Sequence, residues 1–250
     1  MIPHNQSPCF LQRRSIGVSR QQIPIQAYFL EPRLGYQQPL PPKINPSSTL
    51  PTVDTLFFGA FHGDEPESAA LLFRLIDFLV QHPEQLADKP ILIVPIVNPD
   101  GLLANTRKNA CGVDINRNFK TQNWLANHPE DHYYGGLAPL SEPETHAVVN
   151  IIHATQPKKI ITVHTPYRLV NYDGPAPQTQ EWAEAFGQLC NYPVEASIGY
   201  PTPGSFGNWA GVEQHIPVLT LELPEAEPLA TTWATMKTAL LDSIARTVAV

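Results

Sequence analysis

The stretch VDTLFFGAFHGDE, residues 53–65, places an apolar segment directly before a cluster of polar and charged side chains. Residues 53–60 are mostly apolar, which predicts a buried strand in the centre of a sheet. His62 and Glu65 follow, and Gly63 between them allows a tight turn. A histidine and a carboxylate at this spacing can face one metal ion if the turn closes. Because an H-x-x-E pattern is common by chance, it indicates a metal site only in combination with other residues.

Apolar and amphipathic segments alternate along most of the chain. The predicted buried strands are residues 53–60, 91–97, 160–163 and 218–223, and the predicted helices are residues 66–81, 142–154, 180–190 and 229–248. This alternation predicts an α/β fold in which helices cover both faces of a twisted central sheet. There is no internal repeat and no clear linker, so residues 1–250 are predicted to form a single domain.

The N-terminal part differs from this alternation. Residues 16–19 and 23–30 predict a strand hairpin around a polar turn. A proline-rich loop follows at about residues 31–52, and it is interpreted either as a surface insertion or as an arm that contacts a partner. Farther along, Ser141 and Glu144 have the spacing of a capping box, which predicts the start of a helix.

The composition argues against several classes of protein. A hydrophobic fraction of 42% is enough for a sizeable core, and the net charge of −7 without a basic run disfavours nucleic acid or a membrane surface as a partner. No segment reaches the roughly 18 apolar residues that span a membrane, and no secretory signal pattern is expected at the N-terminus. Cys9, Cys111 and Cys190 are odd in number and widely spaced, which favours reduced thiols and a cytoplasmic location.

Polar residues follow two other predicted strands. His164 comes directly after residues 160–163, and Glu222 lies at the end of residues 218–223. Because sites in α/β sheets form at the carboxyl ends of strands, these residues are expected to lie near the H-x-x-E pattern. Two histidines and one glutamate are a common ligand set for catalytic zinc, with a fourth position for water. Glu222 is then a candidate general base, although a structural ion pair explains a carboxylate there equally well.

A second group of functional candidates lies in a polar stretch between predicted elements. Arg117 and Asn116, within GVDINRNF (residues 112–119), offer donors suited to a carboxylate, and Arg107 adds a second cation. Asp114 can accept the ring N–H of a metal-bound histidine and so fix its tautomer. The alternative for both arginines is that they are solvated surface residues.

Together these motifs resemble the zinc carboxypeptidase family. The order of H-x-x-E, NPDG (residues 98–101), GVDINRNF, a later histidine and a strand-end glutamate is that of the family. The resemblance is closer to its bacterial murein peptide amidase branch, which also shows a nearby Trp, SEPET and GY-x-TPGSFG-x-W. Their counterparts here are Trp124, residues 141–145 and residues 199–209.

The resemblance implies a single-domain, zinc-carboxypeptidase-like α/β fold with a mixed twisted sheet, and one zinc ion as cofactor. It implies that His62, Glu65 and His164 are the zinc ligands and that Glu222 is the catalytic glutamate. The other implied roles are carboxylate binding by Asn116 and Arg117, polarisation of the scissile carbonyl by Arg107, contact with the first zinc-ligand histidine by Asp114, and the mobile active-site tyrosine at Tyr200.

One departure from the family pattern carries a structural prediction. The murein amidase branch has Asp-Pro after the second histidine, whereas this chain has Thr165 and Pro166. Digestive members of the family have a cis peptide bond at this point, and a bond before proline adopts cis at low cost. The bond between Thr165 and Pro166 is therefore predicted to be cis.

The resemblance also implies an activity, the hydrolysis of a C-terminal amide bond in a small peptide with a free carboxylate. In the murein branch this bond joins γ-D-Glu to meso-diaminopimelate in L-Ala-γ-D-Glu-meso-diaminopimelate, a step of cell-wall peptide recycling. Two alternatives stay open. One is a deacylase acting on N-acyl amino acids such as N-acetyl-aspartate or N-succinyl-glutamate, and the other is a catalytically inactive binding module. Self-association into a homo-oligomer is left open by the sequence.

Overall fold

The computed structural model describes residues 9–32, 40, 44, 50–127 and 130–248, without the side chains of residues 9 and 10. Most of the proline-rich loop at 31–52 therefore lies outside the described residues. Leu40, Ile44 and Leu50 within it are described, and all three are buried. This part of the chain thus contributes apolar side chains to the core, where burial is favourable.

Within the described residues, eight strands form one sheet and five α-helices pack around it. The strands are Cys9–Val18 (β1), Pro24–Pro32 (β2), Thr55–Phe58 (β3), Ile91–Val94 (β4), Lys159–His164 (β5), Tyr167–Asp173 (β6), Val194–Glu195 (β7) and Val218–Pro224 (β8). The helices are Pro66–Gln81 (α1), Pro99–Ala104 (α2), Pro143–Thr155 (α3), Gln178–Cys190 (α4) and Leu229–Ala245 (α5). Short 3₁₀ turns and one π-helical turn connect them at Pro83–Leu86, Ile115–Arg117, Asp131–Tyr133 and Asn208–Glu213.

The sheet is mixed and has the strand order β1-β2-β4-β3-β5-β8-β6-β7. Its central strands β4, β3, β5 and β8 are parallel, whereas the pairs β1–β2, β2–β4 and β6–β8 are antiparallel and the edge pair β6–β7 is parallel. Parallel strands end at the same edge of a sheet, so the segments that follow β3, β4, β5 and β8 meet there. This mixed single-domain α/β fold confirms the predicted fold class.

Side chains alternate between two hydrophobic cores, one on each face of the sheet. On one face, Phe57, Ile161 and Leu221 contribute to a core shared with α1, α4 and α5. On the other face, Phe58 and Ile160 contribute to a core shared with α3. Because successive strand residues point to opposite faces, a central strand must be apolar throughout, which explains its continuous hydrophobic sequence.

Several local predictions are corrected by the structure. Strands β6 and β7 were not expected, because YRLVNYD mixes polar and apolar residues and β7 is only two residues long. The N-cap of α3 is Glu142 without a side-chain cap, so the predicted capping box is wrong; the Ser141 hydroxyl instead donates to Glu142. The helical pattern of residues 66–81 predicts that Phe73 lies on the apolar face of α1, but it is 37% exposed and packs edge-on against Tyr28.

A buried ion pair lies at the edge of the sheet opposite to the carboxyl ends of the parallel strands. Lys159, at the start of β5, is fully buried and pairs with Asp54, and its ammonium also donates to the carbonyl of Arg246 at 2.8 Å. Lys89 and Lys158 approach the same carboxylate at 3.8 and 3.6 Å. One carboxylate therefore faces three ammonium groups, of which that of Lys159 is buried and that of Lys158 is exposed.

Substituting Asp54→Asn is expected to lower the free energy of unfolding by about 3 kcal/mol, because it leaves the Lys159 ammonium buried without an anion. Urea denaturation measures this loss. Glu84→Gln is the control, since Glu84 pairs with His82 at the surface and such pairs contribute about 1 kcal/mol or less. Equal effects of the two substitutions would contradict the expectation.

Candidate metal centre and active-site cleft

Three parallel strands bring the predicted metal ligands and the predicted base to one edge of the sheet. His164 is the last residue of β5, and it is paired in register with Glu222 on the adjacent strand β8. His62 and Glu65 lie in the loop that follows β3, and Glu65 immediately precedes α1. Because β3, β5 and β8 are neighbours in the sheet, these residues form one cluster although they lie far apart in the sequence.

The cluster has the geometry of a cation site. The Nδ1 atom of His62 lies 2.6 Å from Glu65 Oε1, and the Nδ1 atom of His164 lies 2.9 Å from Glu65 Oε2. One ligand atom from each of these residues lies within 4.8 Å of the others, and all three side chains are buried. Two imidazole nitrogens and a carboxylate oxygen are a donor set that zinc accepts. The residues present thus fit this metal.

The electrostatics of the cluster favour a positive charge at its centre. Burial by itself lowers the pKa of His62, but the carboxylates of Glu65 and Asp114 outweigh this and raise it. Burial alone raises the pKa of Glu65, yet His62 and His164 hold the pKa of that carboxyl well below its usual range. For His164, burial lowers the pKa and Glu65 offsets this only in part. Anionic groups placed to stabilise a proton also stabilise a metal cation at this position.

The turn between the first two candidate ligands depends on close contact with the NPDG segment. A Cβ atom on Gly63 would lie 1.9 Å from the carbonyl carbon of Gly101. Asn98 supports both segments, since its side chain accepts a hydrogen bond from Gly101 N at 2.9 Å and donates to the carbonyls of Phe61 and Arg107 at 3.3 Å each. The NPDG segment therefore supports the loop that carries His62 and Glu65, through direct packing and through the hydrogen bonds of Asn98.

Asp114 connects the cluster to the arginine side of the cleft. Its carboxylate lies 3.2 Å from His62 Nε2 and accepts hydrogen bonds from Arg107 Nε and from the backbone N–H of Asn116, each at 2.9 Å. Burial by itself raises the pKa of Asp114, but Arg107 and His62 outweigh this and lower it well below its usual range. Asp114 thus remains ionised and orients the His62 ring.

The two arginines differ in how many of their donors are already satisfied. Arg107 Nε and Nη2 each lie 2.9 Å from one oxygen of Asp114. Arg117 is only 3% exposed; its Nη1 donates to the carbonyl of Asn116 at 2.7 Å, and its Nε has no partner among the described residues. The Asn116 side-chain oxygen accepts from Phe206 N at 2.8 Å, which fixes the orientation of that amide. An anion bound beside Arg117 would satisfy the unused donor.

Two tyrosines cover these arginines. The Tyr133 ring centroid lies 4.9 Å from Arg117 Cζ and 5.4 Å from Arg107 Cζ. The Tyr200 ring stacks on Tyr133 with their centroids 5.8 Å apart, and burial raises the pKa of Tyr200. The sequence pointed to Tyr200 only through the family resemblance, and it gave no reason to select Tyr133. The one available signal was that Tyr133 is an aromatic residue in a polar, glycine-containing loop.

Glu222 has the environment expected of a proton acceptor. It is only 6% exposed, and its Oε2 atom has no hydrogen-bond partner among the described residues. Burial is the main cause, and Glu65 a second one, of the rise in the pKa of Glu222 to about 8. The alternative of a structural ion pair at this strand end is not supported, since no ion pair of Glu222 occurs in the part of the chain that the structure describes.

A single cleft of about 520 Å³ contains these groups. Asp114 lies beneath its surface, fully buried, and does not line it. The predicted site residues that line the cleft are His62, Glu65, Arg107, Asn116, Arg117, His164, Tyr200 and Glu222. Other lining residues, which the sequence did not single out, include Tyr133, Asn171, Asp173, Asn208 and Thr220.

Comparison with known proteins decides the family. The profile described as "Zinc carboxypeptidase" matches residues 5–232 of the chain. The chain belongs to the zinc carboxypeptidase family. It is accordingly a zinc metallopeptidase, and zinc is its cofactor.

Relatives of this zinc carboxypeptidase include bacterial murein peptide amidases. The chain is 33% identical over 180 residues to murein peptide amidase A of Escherichia coli strain K12, covering 68% of this chain and 70% of the relative. It is 33% identical over 181 residues to murein peptide amidase A of Vibrio campbellii, covering 68% of each. The crystal structure of murein-tripeptide amidase MpaA from Escherichia coli O157 superposes with a TM-score of 0.67 at 25% identity, covering 94% of this chain and 92% of that one.

Two further features of the zinc carboxypeptidase bear on the sequence-based expectations. The bond between Thr165 and Pro166 is cis, which confirms the prediction, and a second cis bond, between Ala176 and Pro177, was not predicted.

Among the described residues, no helix combines the length and the apolar character needed to cross a bilayer.

Substituting Gly63→Ala is expected to prevent the loop before α1 from closing, because the new methyl group would overlap the backbone of Gly101. We expect a loss of bound zinc together with a destabilisation of several kcal/mol. Elemental analysis and thermal unfolding measure the two effects. Gly112→Ala is the matched control; that site has open space and a φ of +71°, so it should cost about 1–2 kcal/mol and leave zinc content unchanged.

Proposed function

We propose that this zinc carboxypeptidase hydrolyses the bond between γ-D-Glu and meso-diaminopimelate in murein tripeptide. The observation that carries the proposal is that one cleft combines an unpaired Glu222 carboxylate, a His-Glu-His cluster and a buried arginine with an unused donor. The relatives named murein peptide amidase A support the choice of substrate. A location in the cytoplasm remains a prediction from sequence.

In this proposal His62, Glu65 and His164 would hold the zinc ion. When bound, zinc would supply Lewis acidity toward water and toward the carbonyl of the scissile bond. Asp114 holds the His62 ring through its Nε2 atom, so that the Nδ1 atom faces Glu65 and the centre of the cluster. Such support of a ligand histidine commonly changes metal affinity by about 10–100-fold.

Glu222 is proposed to act as the general base. Its Oε2 atom is buried and available to take a proton from the attacking water, since no described residue occupies it. The same carboxyl group can then deliver the proton to the leaving amine. Its position on β8, level with His164 on β5, places it at the edge where the cluster lies.

Arg107 and Arg117 are proposed to contact two different groups of the substrate, the carbonyl of the scissile bond and the terminal carboxylate. Arg107 is held by two nitrogens against Asp114, so its remaining nitrogen, Nη1, can face the oxygen that becomes negative during attack. Arg117 and Asn116 would bind the terminal carboxylate of the substrate, which satisfies the buried Nε donor. Binding that carboxylate restricts attack to the last amide bond.

Substituting Glu222→Gln is expected to abolish hydrolysis of L-Ala-γ-D-Glu-meso-diaminopimelate, because an amide cannot accept the proton. The loss in kcat should be at least about 10²–10⁴-fold. Zinc content and tripeptide binding, measured by elemental analysis and calorimetry, should stay near those of the unmodified protein. Full turnover by this variant would disprove the assigned role. If the unmodified protein cleaves N-acyl amino acids and leaves the tripeptide intact, the deacylase alternative is correct.

Substituting Arg117→Met is expected to raise KM for the tripeptide about 10–100-fold, since the carboxylate loses a charge-assisted partner. A tripeptide whose terminal carboxylate is converted to an amide should be a poor substrate for the unmodified enzyme. The Arg117→Met variant should cleave this amide peptide as well as the unmodified enzyme does. Steady-state kinetics with both peptides measures this discrimination. Lys120→Met, which removes one exposed positive charge nearby in sequence and outside the cleft, is the control and should preserve it.

A further inference from the structure

Asn109 closes the loop that separates Arg107 from Asp114. Its backbone N–H donates to the carbonyl of Val113 at 2.9 Å, and its side-chain oxygen accepts from the N–H groups of Cys111 and Val113 at 3.0 and 3.1 Å. Asn109 is only 5% exposed, so these hydrogen bonds are made away from water. Arg107 and Asp114, which pair with each other, therefore lie at the two ends of one compact loop.

The side-chain nitrogen of Asn109 connects this loop to the start of α3. Asn109 Nδ2 donates to Glu142 Oε2 at 2.7 Å and to Glu144 Oε2 at 3.3 Å, and both glutamates are buried. Glu142 is the N-cap residue of α3, but its side chain makes no capping hydrogen bond. Its carboxylate binds the loop instead, so the first turn of α3 supplies a fixed acceptor for Asn109.

The turn between β1 and β2 binds the same two glutamates. Arg20 Nε and Nη2 donate to the two oxygens of Glu142 at 2.9 and 3.1 Å, and the backbone N–H of Arg20 donates to Glu144 at 3.1 Å. Burial by itself raises the pKa of Glu142, but the hydrogen bonds from Arg20 and Asn109 outweigh this and lower it. Glu142 is therefore ionised, and its hydrogen bonds to the turn and to the loop are charge-assisted.

The β1–β2 turn also supports the metal-ligand side of the cleft. Ser19 Oγ donates to Asp100 Oδ1 at 2.5 Å, and the backbone N–H of Gln21 donates to Asp100 Oδ2 at 3.1 Å. Asp100 belongs to the NPDG segment, which supports the loop with the candidate metal ligands. Residues 19–21 thus contact the supports of both sides of the cleft, although they do not line the cleft themselves.

We propose that Asn109 is a positioning residue that fixes the side chain of Arg107 in the cleft. Glu142 and Arg20 in turn hold Asn109 in place. The role of Asn109 rests on the proposed function, in which Arg107 faces the oxygen that becomes negative during attack. None of the three supporting residues lines the cleft, so each acts through the loop and not by contact with substrate.

Both ends of the loop must be held for Arg107 to keep its position. The carbonyl of Arg107 accepts from Gly63 N at 3.4 Å and from Asn98 Nδ2 at 3.3 Å, which fixes the first end. Asn109 fixes the second end, next to Asp114. Because two nitrogens of Arg107 bind Asp114, a shift of that carboxylate would move the guanidinium with it. A misplacement of about 1 Å can reduce the rate of an enzyme about 100-fold.

A double-mutant cycle with the zinc-loaded protein and the tripeptide tests this role. Asn109→Ala is expected to lower kcat about 10–100-fold with little change in KM, because Arg117 still binds the terminal carboxylate. The double variant with Arg107→Met should have a kcat close to that of Arg107→Met alone, since Asn109 cannot act through a guanidinium that is absent. Losses that multiply in the double variant would mean that Asn109 acts independently of Arg107, and they would overturn the inference.

Two control variants separate positioning from a general loss of stability. Asp54→Asn also removes the partner of a buried group, but at the opposite edge of the sheet, so it should preserve kcat at a temperature at which all variants are folded. Arg20→Met should lower kcat, whereas Arg13→Met, which removes an exposed charge from the same hairpin, should preserve it. If Asn109→Ala does not fold, equal kcat values for the two arginine variants overturn the inference.

The crystal structure of the zinc-loaded Asn109→Ala variant separates failure of this inference from failure of the proposed function. If the tripeptide is cleaved and Asn109→Ala retains the kcat of the unmodified protein, the role of Asn109 is wrong and the proposed function stands. If the tripeptide is not cleaved, the proposed function is wrong and the crystal structure decides. A guanidinium of Arg107 that has moved relative to the zinc ion supports the role of Asn109, and one that has not moved overturns it.

Discussion

The buried carboxylate of Asp114 holds the two sides of the cleft in one arrangement. It contacts the ring of His62 on the metal side and the guanidinium of Arg107 on the substrate side, and it also caps the turn that carries Asn116. Burial of a charge is unfavourable by itself, and these contacts offset that cost and keep the carboxylate ionised. Asp114 therefore couples the orientation of a candidate metal ligand to the position of two residues that are proposed to contact the substrate.

The cleft differs from the hydrophobic cores in leaving polar groups without partners. Arg117 Nε and Glu222 Oε2 are buried and unsatisfied among the described residues, and Asp173 lacks a cation. Each such group costs folding free energy, which the two apolar cores on either side of the sheet must offset.

Much of the candidate site could be predicted from sequence because its residues stand directly after apolar strands or in motifs of recognisable order. His164 and Glu222 are examples, since the parallel arrangement of β5 and β8 necessarily brings the ends of both strands to one edge. Tyr133 and Asp173 could not be predicted in the same way. Tyr133 lies in an irregular loop, and Asp173 ends a strand whose mixed polar sequence did not indicate a strand at all.

The amino-acid sequence by itself determined the α/β class, the zinc carboxypeptidase family and the residues that form its polar motifs, because hydrophobic periodicity and motif order are properties of the chain alone. Only the tertiary structure decided which donors remain unused and which carboxylates lack a partner. Those properties depend on contacts between segments far apart in sequence, such as β6 against β8 or Gly207 against Asp173. Burial and pairing are set by packing, and packing is not encoded in any local pattern.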